Sequence, residues 1–135
     1  MDKVSPEQRS RTMARVRGKN TRPEVFLRSL LHKRGFRYRL HVASLPGVPD
    51  IVLPKYRTVV FVNGCFWHRH PGCKRASTPT TNVEYWTKKF VNNIARDTKN
   101  KLLLEKMGWK VLTVWECELK FPMQLANDLA SMIRG

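Results

Sequence analysis

Two short apolar runs, Asp50 to Leu53 and Thr58 to Val62, stand on either side of Pro54-Lys55-Tyr56-Arg57. Runs of that length, parted by a proline-led polar tetrapeptide, predict a β-hairpin. Pairing Leu53 with Thr58 sets Asp50 opposite Phe61, beside the Val62 and Asn63 backbone. The next residues are Gly64-Cys65-Phe66-Trp67-His68-Arg69-His70-Pro71-Gly72-Cys73. A carboxylate and a Cys/His loop are thus expected at one sheet edge, which makes a shared site feasible.

The flanking pattern is helical. Ser5-Pro6-Glu7-Gln8 predicts a capped basic helix running to about Val16. Met13 and Val16 give that helix only a thin apolar stripe, so a partner as well as the core is expected to cover it. Thr21-Arg22-Pro23-Glu24 is a capping box, and its helix is expected to bury Phe26, Leu27, Leu30 and Leu31 before stopping at Gly35. Phe36 to Leu40 alternates apolar and basic residues, the signature of a half-buried strand. Thr81-Asn82-Val83-Glu84 opens a long helix to about Met107, with Gly108 as its stop. A strand from Trp109 to Trp115 and a closing amphipathic helix using Met123, Leu125, Leu129, Met132 and Ile133 complete the chain. The order α-α-β-β-β-α-β-α predicts an α/β fold, a mixed central sheet flanked by helices. One domain over residues 1–135 is expected, with residues 1–20 forming a basic N-terminal helix.

Composition narrows the class. A hydrophobic content of 41% supports an ordinary core and argues against wholesale disorder. The formal charge of +16 is well beyond the magnitude of about 2–8 that solubility requires. Such a surface attracts polyanions and releases their counterions, so nucleic acid is the expected partner. The basic residues spread along the chain instead of forming one amphipathic helix, which disfavours an anionic membrane. With no apolar stretch of about 18 residues and no apolar N-terminal run, a soluble intracellular protein is expected; a cytoplasmic, nucleoid-associated monomer is the further expectation for a DNA-binding chain. Three cysteines do not make a disulfide framework and are left as core thiols or metal ligands.

Cys65, His70 and Cys73, with Cys117 just past a strand, supply three thiols and an imidazole for a tetrahedral structural zinc. In a second reading Cys117 is a buried core thiol. His68 is then the spare imidazole, with a protonation equilibrium near neutrality that suits a general base; alternatively His68 binds zinc and His70 is idle. Between Val25 and Val83 the only carboxylate is Asp50, among ten Lys and Arg residues. A lone acid in that field is a candidate hard-cation ligand. Trp86, Lys89, Asn93 and Arg96 recur at three- or four-residue steps and share a helix face. Asn and Lys suit base edges, Arg suits phosphate, and a solvated stripe is the plain alternative.

Leu45-Pro46-Gly47-Val48-Pro49-Asp50-Ile51-Val52, Phe61-Val62-Asn63-Gly64-Cys65-Phe66-Trp67-His68-Arg69-His70, and Gly108-Trp109-Lys110-Val111-Leu112 with Val114-Trp115-Glu116-Cys117 together closely resemble the very short patch repair (Vsr) endonucleases. Asn20-Thr21-Arg22-Pro23-Glu24 and Asn93-Ile94-Ala95-Arg96-Asp97 extend the match. The resemblance implies a restriction-endonuclease-like core, a structural Zn2+ and Mg2+-dependent strand cleavage. It further implies nicking 5′ to the thymine of T:G mismatches left by 5-methylcytosine deamination, which initiates very short patch mismatch repair.

By the same resemblance, Asp50 holds the catalytic cation with the Val62 main-chain carbonyl, His68 is the base, Glu24 assists, and Cys65, His70, Cys73 and Cys117 hold zinc. Glu24 is also a plain helix-capping acid. Phe66, Trp67 and Trp86 resemble the family's intercalating aromatics, although Trp86 could face the core of its own helix. Base contacts fall to Met13, Lys89 and Asn93. Asn63 stands where relatives commonly carry a second histidine, leaving the basic role to His68. The implied partners are mismatched double-stranded DNA and mismatch-repair proteins. Two further readings are a Vsr-like nuclease with another DNA target, in a mobile-element or restriction role, and a non-catalytic zinc-stabilised DNA-binding module.

Overall fold

The computed structural model describes residues 21–135. The expected first helix, and Met13 on it, lie outside the described residues. Helix α1 (Arg22–Lys33) begins at Thr21, whose side-chain oxygen accepts from the Glu24 N–H at 3.4 Å. It ends where Gly35 takes a φ of +85° and the Phe36 N–H bonds the Leu31 carbonyl, a left-handed stop that glycine adopts without a Cβ clash. Strands β1 (Arg39–Leu40), β2 (Ile51–Leu53) and β3 (Thr58–Asn63) follow. A 24-residue helix α2 (Val83–Lys106) leads to β4 (Lys110–Trp115), and after the 3₁₀ turn Glu116–Lys120 comes helix α3 (Pro122–Arg134).

The sheet order is β1-β2-β3-β4, with β1 and β2 antiparallel, β2 and β3 antiparallel, and β3 and β4 parallel. Antiparallel neighbours join through a tight turn, here the 3₁₀ turn Pro54–Tyr56 with Arg57 left-handed at φ 48°. The parallel pair requires a long crossover, which α2 supplies. The register pairs Leu53 with Thr58 as the apolar runs require.

Alternation along the strands sends side chains to two cores. Ile51, Leu53, Val60 and Val114 meet Leu27 and Leu31 of α1 and Leu125, Leu129 and Ile133 of α3. Val52 and Val59 point the other way, onto Leu104 of α2. Helices thus cover both sheet faces, which is why β2 is buried at every position. Each of these aliphatic side chains contributes about 1.5–3 kcal/mol by leaving water.

Several local expectations are corrected. Phe26 is 47% exposed and Leu30 half-buried, because the buried stripe of α1 runs through Glu24, Leu27 and Leu31 instead. The strand expected over Phe36 to Leu40 keeps only Arg39 and Leu40, since Phe36 is drawn into the core at the helix stop. Helix α2 opens at Val83 as expected, and Met123 and Met132 of α3 are exposed. Among the described residues, no helix is long and apolar enough to cross a membrane.

Candidate active site

Asp50 precedes β2 and is followed in register, so its position falls across from Phe61 and its carboxylate reaches the next residue of β3. Asp50 Oδ2 accepts from the Val62 N–H at 2.7 Å. Two other side chains join it. Glu24, on the first turn of α1, is only 2% exposed and lies 2.5 Å from His41 Nε2 through its Oε2. Arg28, one turn along α1, reaches the same oxygen at 3.4 Å. One ligand atom from each of Glu24, His41 and Asp50 lies within 4.8 Å of the others. Burial, with the Glu24 carboxylate beside it, pushes the Asp50 carboxyl up from 3.8 to about 6, against the Val62 N–H and His41, which favour its charge. Two crowded, half-dry carboxylates beside one imidazole make a donor set suited to a divalent cation.

The loop after β3 brings the second group. His68 Nδ1 lies 2.5 Å from Asp97 Oδ2, and the His68 N–H bonds the Gly64 carbonyl two residues beyond Val62. Asp50 and His68 are therefore tied to the same end of β3. In the tautomer with hydrogen on Nδ1, the Asp97 carboxylate accepts from that N–H and Nε2 carries the lone pair.

Behind this loop the four ligand atoms of Cys65, His70, Cys73 and Cys117 all lie within 4.8 Å of one another. Cys117 Sγ is 3.4 Å from His70 Nδ1, and the His70 ring stacks on Trp115 at 4.3 Å. A tetrahedral Zn–S sphere with bonds of about 2.3 Å has edges of roughly 3.8 Å, so the cluster fits zinc in size and donor type. Burial drives the Cys65 thiol up to about 12, a penalty that a bound cation removes, while a backbone hydrogen bond from Arg75 draws Cys73 down to about 7. His70, not His68, is the imidazole among the thiols.

Three comparisons bear on this geometry. The sequence profile of the family described as "DNA mismatch endonuclease Vsr" matches residues 1–75. A "Type II nicking enzyme V.XorIIP" of Xanthomonas oryzae pv. oryzae is 52% identical over 87% of this chain and 86% of its own length. The "DNA mismatch endonuclease Vsr" of Escherichia coli K12 is 41% identical over 89% of this chain and 76% of its own. The chain belongs to the Vsr endonuclease family. The fold is also shared with the catalytic domain of homing endonuclease I-Bth0305I, at a TM-score of 0.55 and 20% identity, over 82% of this chain and 92% of that one.

In this Vsr-family chain the aromatic side chains of the loop do not stand alone. Phe66 packs edge-on against Trp67 at 5.2 Å, Trp86 at 5.6 Å and Phe90 at 5.3 Å. Phe66, Trp67 and Trp86 are half-buried against one another and not in the sheet core. Arg69 lies 4.2 Å over Phe90 and donates to the Ala76 and Ser77 carbonyls, pinning the strap that leads to α2.

The inward face of α2 is carried by Trp86, Phe90, Asn93, Asp97 and Leu104, so of the stripe Trp86, Lys89, Asn93 and Arg96 the first and third residues also contact the rest of the chain. Asn93 is 6% exposed, donates to the Trp67 carbonyl at 3.1 Å, and accepts from Arg96. Its amide thus holds the aromatic loop from within. Lys89 is half-buried and Arg96 exposed.

Sequence reasoning overlooked His41, Asp97, Phe90 and Arg69. Asp97 had a signal, one helical turn beyond Asn93. His41 had one too: the Leu40–Ile51 pair puts His41 across from Asp50, and the His41 N–H meets the Asp50 carbonyl at 3.3 Å.

Proposed function

We propose that this chain is a Mg2+-dependent endonuclease that nicks one strand 5′ to the thymine of a T:G mismatch arising from 5-methylcytosine deamination, and so initiates very short patch repair. The observation that carries the reading is the Glu24–His41–Asp50 group at the end of β3 that also presents the His68–Asp97 pair. Support for the mismatch comes from the name of the Escherichia coli relative and from the aromatic cluster, since a wobble pair stacks poorly and rings enter beside it at low cost.

Asp50 and the Val62 carbonyl would hold Mg2+, which supplies polarisation of the scissile phosphoryl group and stabilises the leaving oxygen. His68 Nε2 takes the proton of the attacking water while Asp97 orients the ring and stabilises the imidazolium. The water oxygen bonds to phosphorus, the P–O bond to the leaving oxygen breaks, and that oxygen takes its proton from solvent. Cys65, His70, Cys73 and Cys117 would hold a structural Zn2+ that staples the loop carrying Phe66, Trp67 and His68 to the end of β4. Lys89 is the base-edge reader left on α2, with Arg96 toward phosphate.

A second reading has a specific observation behind it. The relatives at 52% and 47% identity carry the name type II nicking enzyme, which favours a Vsr-like nick in a restriction role at another target. The test is a magnesium-dependent nicking assay on end-labelled duplexes holding T:G, T:A or C:G at the same place. The T:G duplex alone should be nicked; equal nicking of paired DNA selects the second reading. Asp50→Ala should abolish nicking with DNA binding retained. His68→Ala should slow it about 10²–10⁴-fold with zinc content unchanged. Undiminished cleavage by Asp50→Ala overturns the metal role.

A further inference from the structure

His41 takes no step in the chemistry just described beyond its place in the Glu24–His41–Asp50 group, yet three features converge on it. Its backbone is left-handed at φ 48°, a conformation uncommon outside glycine. Its N–H bonds the Asp50 carbonyl at 3.3 Å, so the turn after β1 is anchored on the residue that would hold the cation. Its side chain, 11% exposed, lies with Nε2 2.5 Å from Glu24 Oε2. With this backbone the ring lies against Glu24 of α1.

In the tautomer with hydrogen on Nε2, the ring N–H donates to Glu24 Oε2 across this 2.5 Å contact. The ring is thus a fixed donor to one lone pair of Glu24, and Arg28 reaches the same oxygen at 3.4 Å from the α1 side. We propose that His41 is a positioning residue that holds the Glu24 carboxylate beside Asp50 and so shapes the cation site. This inference rests on the nuclease reading above. It adds a link between two elements: the turn after β1 carries the ring, α1 the acid it orients, and one ligand atom of Asp50 lies within 4.8 Å of one from each. An outer partner of this kind acts by removing the alternative rotamers of a carboxylate before the ion or its waters arrive.

The experiment compares the full-length zinc-loaded chain with His41→Ala, His41→Gln, Glu24→Ala and the Glu24→Ala/His41→Ala double variant. Mg2+ binding is measured by calorimetry on a cleavage-resistant duplex, and nicking rate is measured against Mg2+ concentration. His41→Ala should weaken Mg2+ binding and raise the half-saturating Mg2+ concentration about tenfold or more. His41→Gln, whose amide can donate to the same oxygen, should recover most of that loss. In the Glu24→Ala background, removing His41 should add no further loss, because its effect passes through Glu24. Unchanged Mg2+ binding in a folded His41→Ala chain overturns the inference. So does an additive double variant, which would make His41 an independent ligand. Should His41→Ala fail to fold, the Gln variant and the Glu24→Ala comparison decide the matter. A wild-type chain that binds DNA but nicks no duplex would fail the nuclease reading itself, whereas normal nicking that ignores His41 fails this inference alone.

Discussion

Asp50 shows how a single side chain can be built against the stability of its own fold. Its carboxyl stands at about 6 in the folded chain against 3.8 ordinarily, chiefly through burial and then through Glu24. A raised value means that the fold binds this proton more tightly than the unfolded chain does. The group therefore favours folding most at pH below about 4 and withdraws that support as pH rises through about 6. Asp50→Asn removes the charge but keeps the shape. In metal-free buffer at pH 7–8 it should melt above the natural chain, and the gap should close on acidification to about pH 4. The same proton competes with the cation. Half-saturating Mg2+ for nicking should thus rise about tenfold per pH unit below 6 and level off above it. Melting curves and Mg2+ titrations across pH 4–8 check both. Coinciding melting temperatures at pH 8 would refute the burial argument.

Among the elements, β3 and α2 do most to assemble the site. β3 is central, paired on both sides, and its end delivers the Val62 backbone to Asp50 and the following loop to His68. α2 crosses over that end with one face, giving Phe90 to the aromatic cluster, Asn93 to the Trp67 carbonyl, Asp97 to His68 and Leu104 to the core. Steps of three, four and seven residues keep these on one side of the helix. The loop between them has little secondary structure of its own, so on the proposed function a zinc held by Cys65, His70, Cys73 and Cys117 would add to the anchors that Asn93 and Arg69 give it. Structural zinc sites in small domains contribute on the order of 10 kcal/mol to folding. Removing zinc with a strong chelator should therefore expose the loop first, with tryptic cleavage beginning after Arg69, Lys74 or Arg75 while the strands survive. Cys117→Ser should reproduce the effect without chelator. A chelated chain that resists trypsin as well as the zinc-loaded one would remove zinc from the account.

At the scale of the molecule, the proposed function divides the work of binding between the charge of +16 and the aromatic cluster. The first would supply affinity for any duplex and weaken steeply with salt, because counterions are released in proportion to the phosphates neutralised. The second would act only where stacking is already poor. Trp67→Ala should leave the salt slope of DNA binding unchanged and lower the ratio of affinities for T:G over T:A duplexes by about tenfold. Each stacking contact of this kind is worth about 1–3 kcal/mol. Equal affinity ratios for the two proteins would count against a ring inserted beside the mismatch.

The order of elements from α1 onward, the Leu53–Thr58 register and the placing of Asp50 beside Val62 all follow from local pattern, since period-two alternation and turn chemistry act over a few residues. The four zinc-type donors were also legible, because the residue types are few and their chemistry narrow. Which way a helix turns was not. One residue separates the Lys89/Arg96 stripe from the Phe90/Asp97 face, and only the packing of α2 on Leu104's side of the sheet chooses between them. His41 was hidden for a related reason: its meaning lies in a left-handed turn and in a carboxylate on another element, and neither exists until β1 has paired with β2.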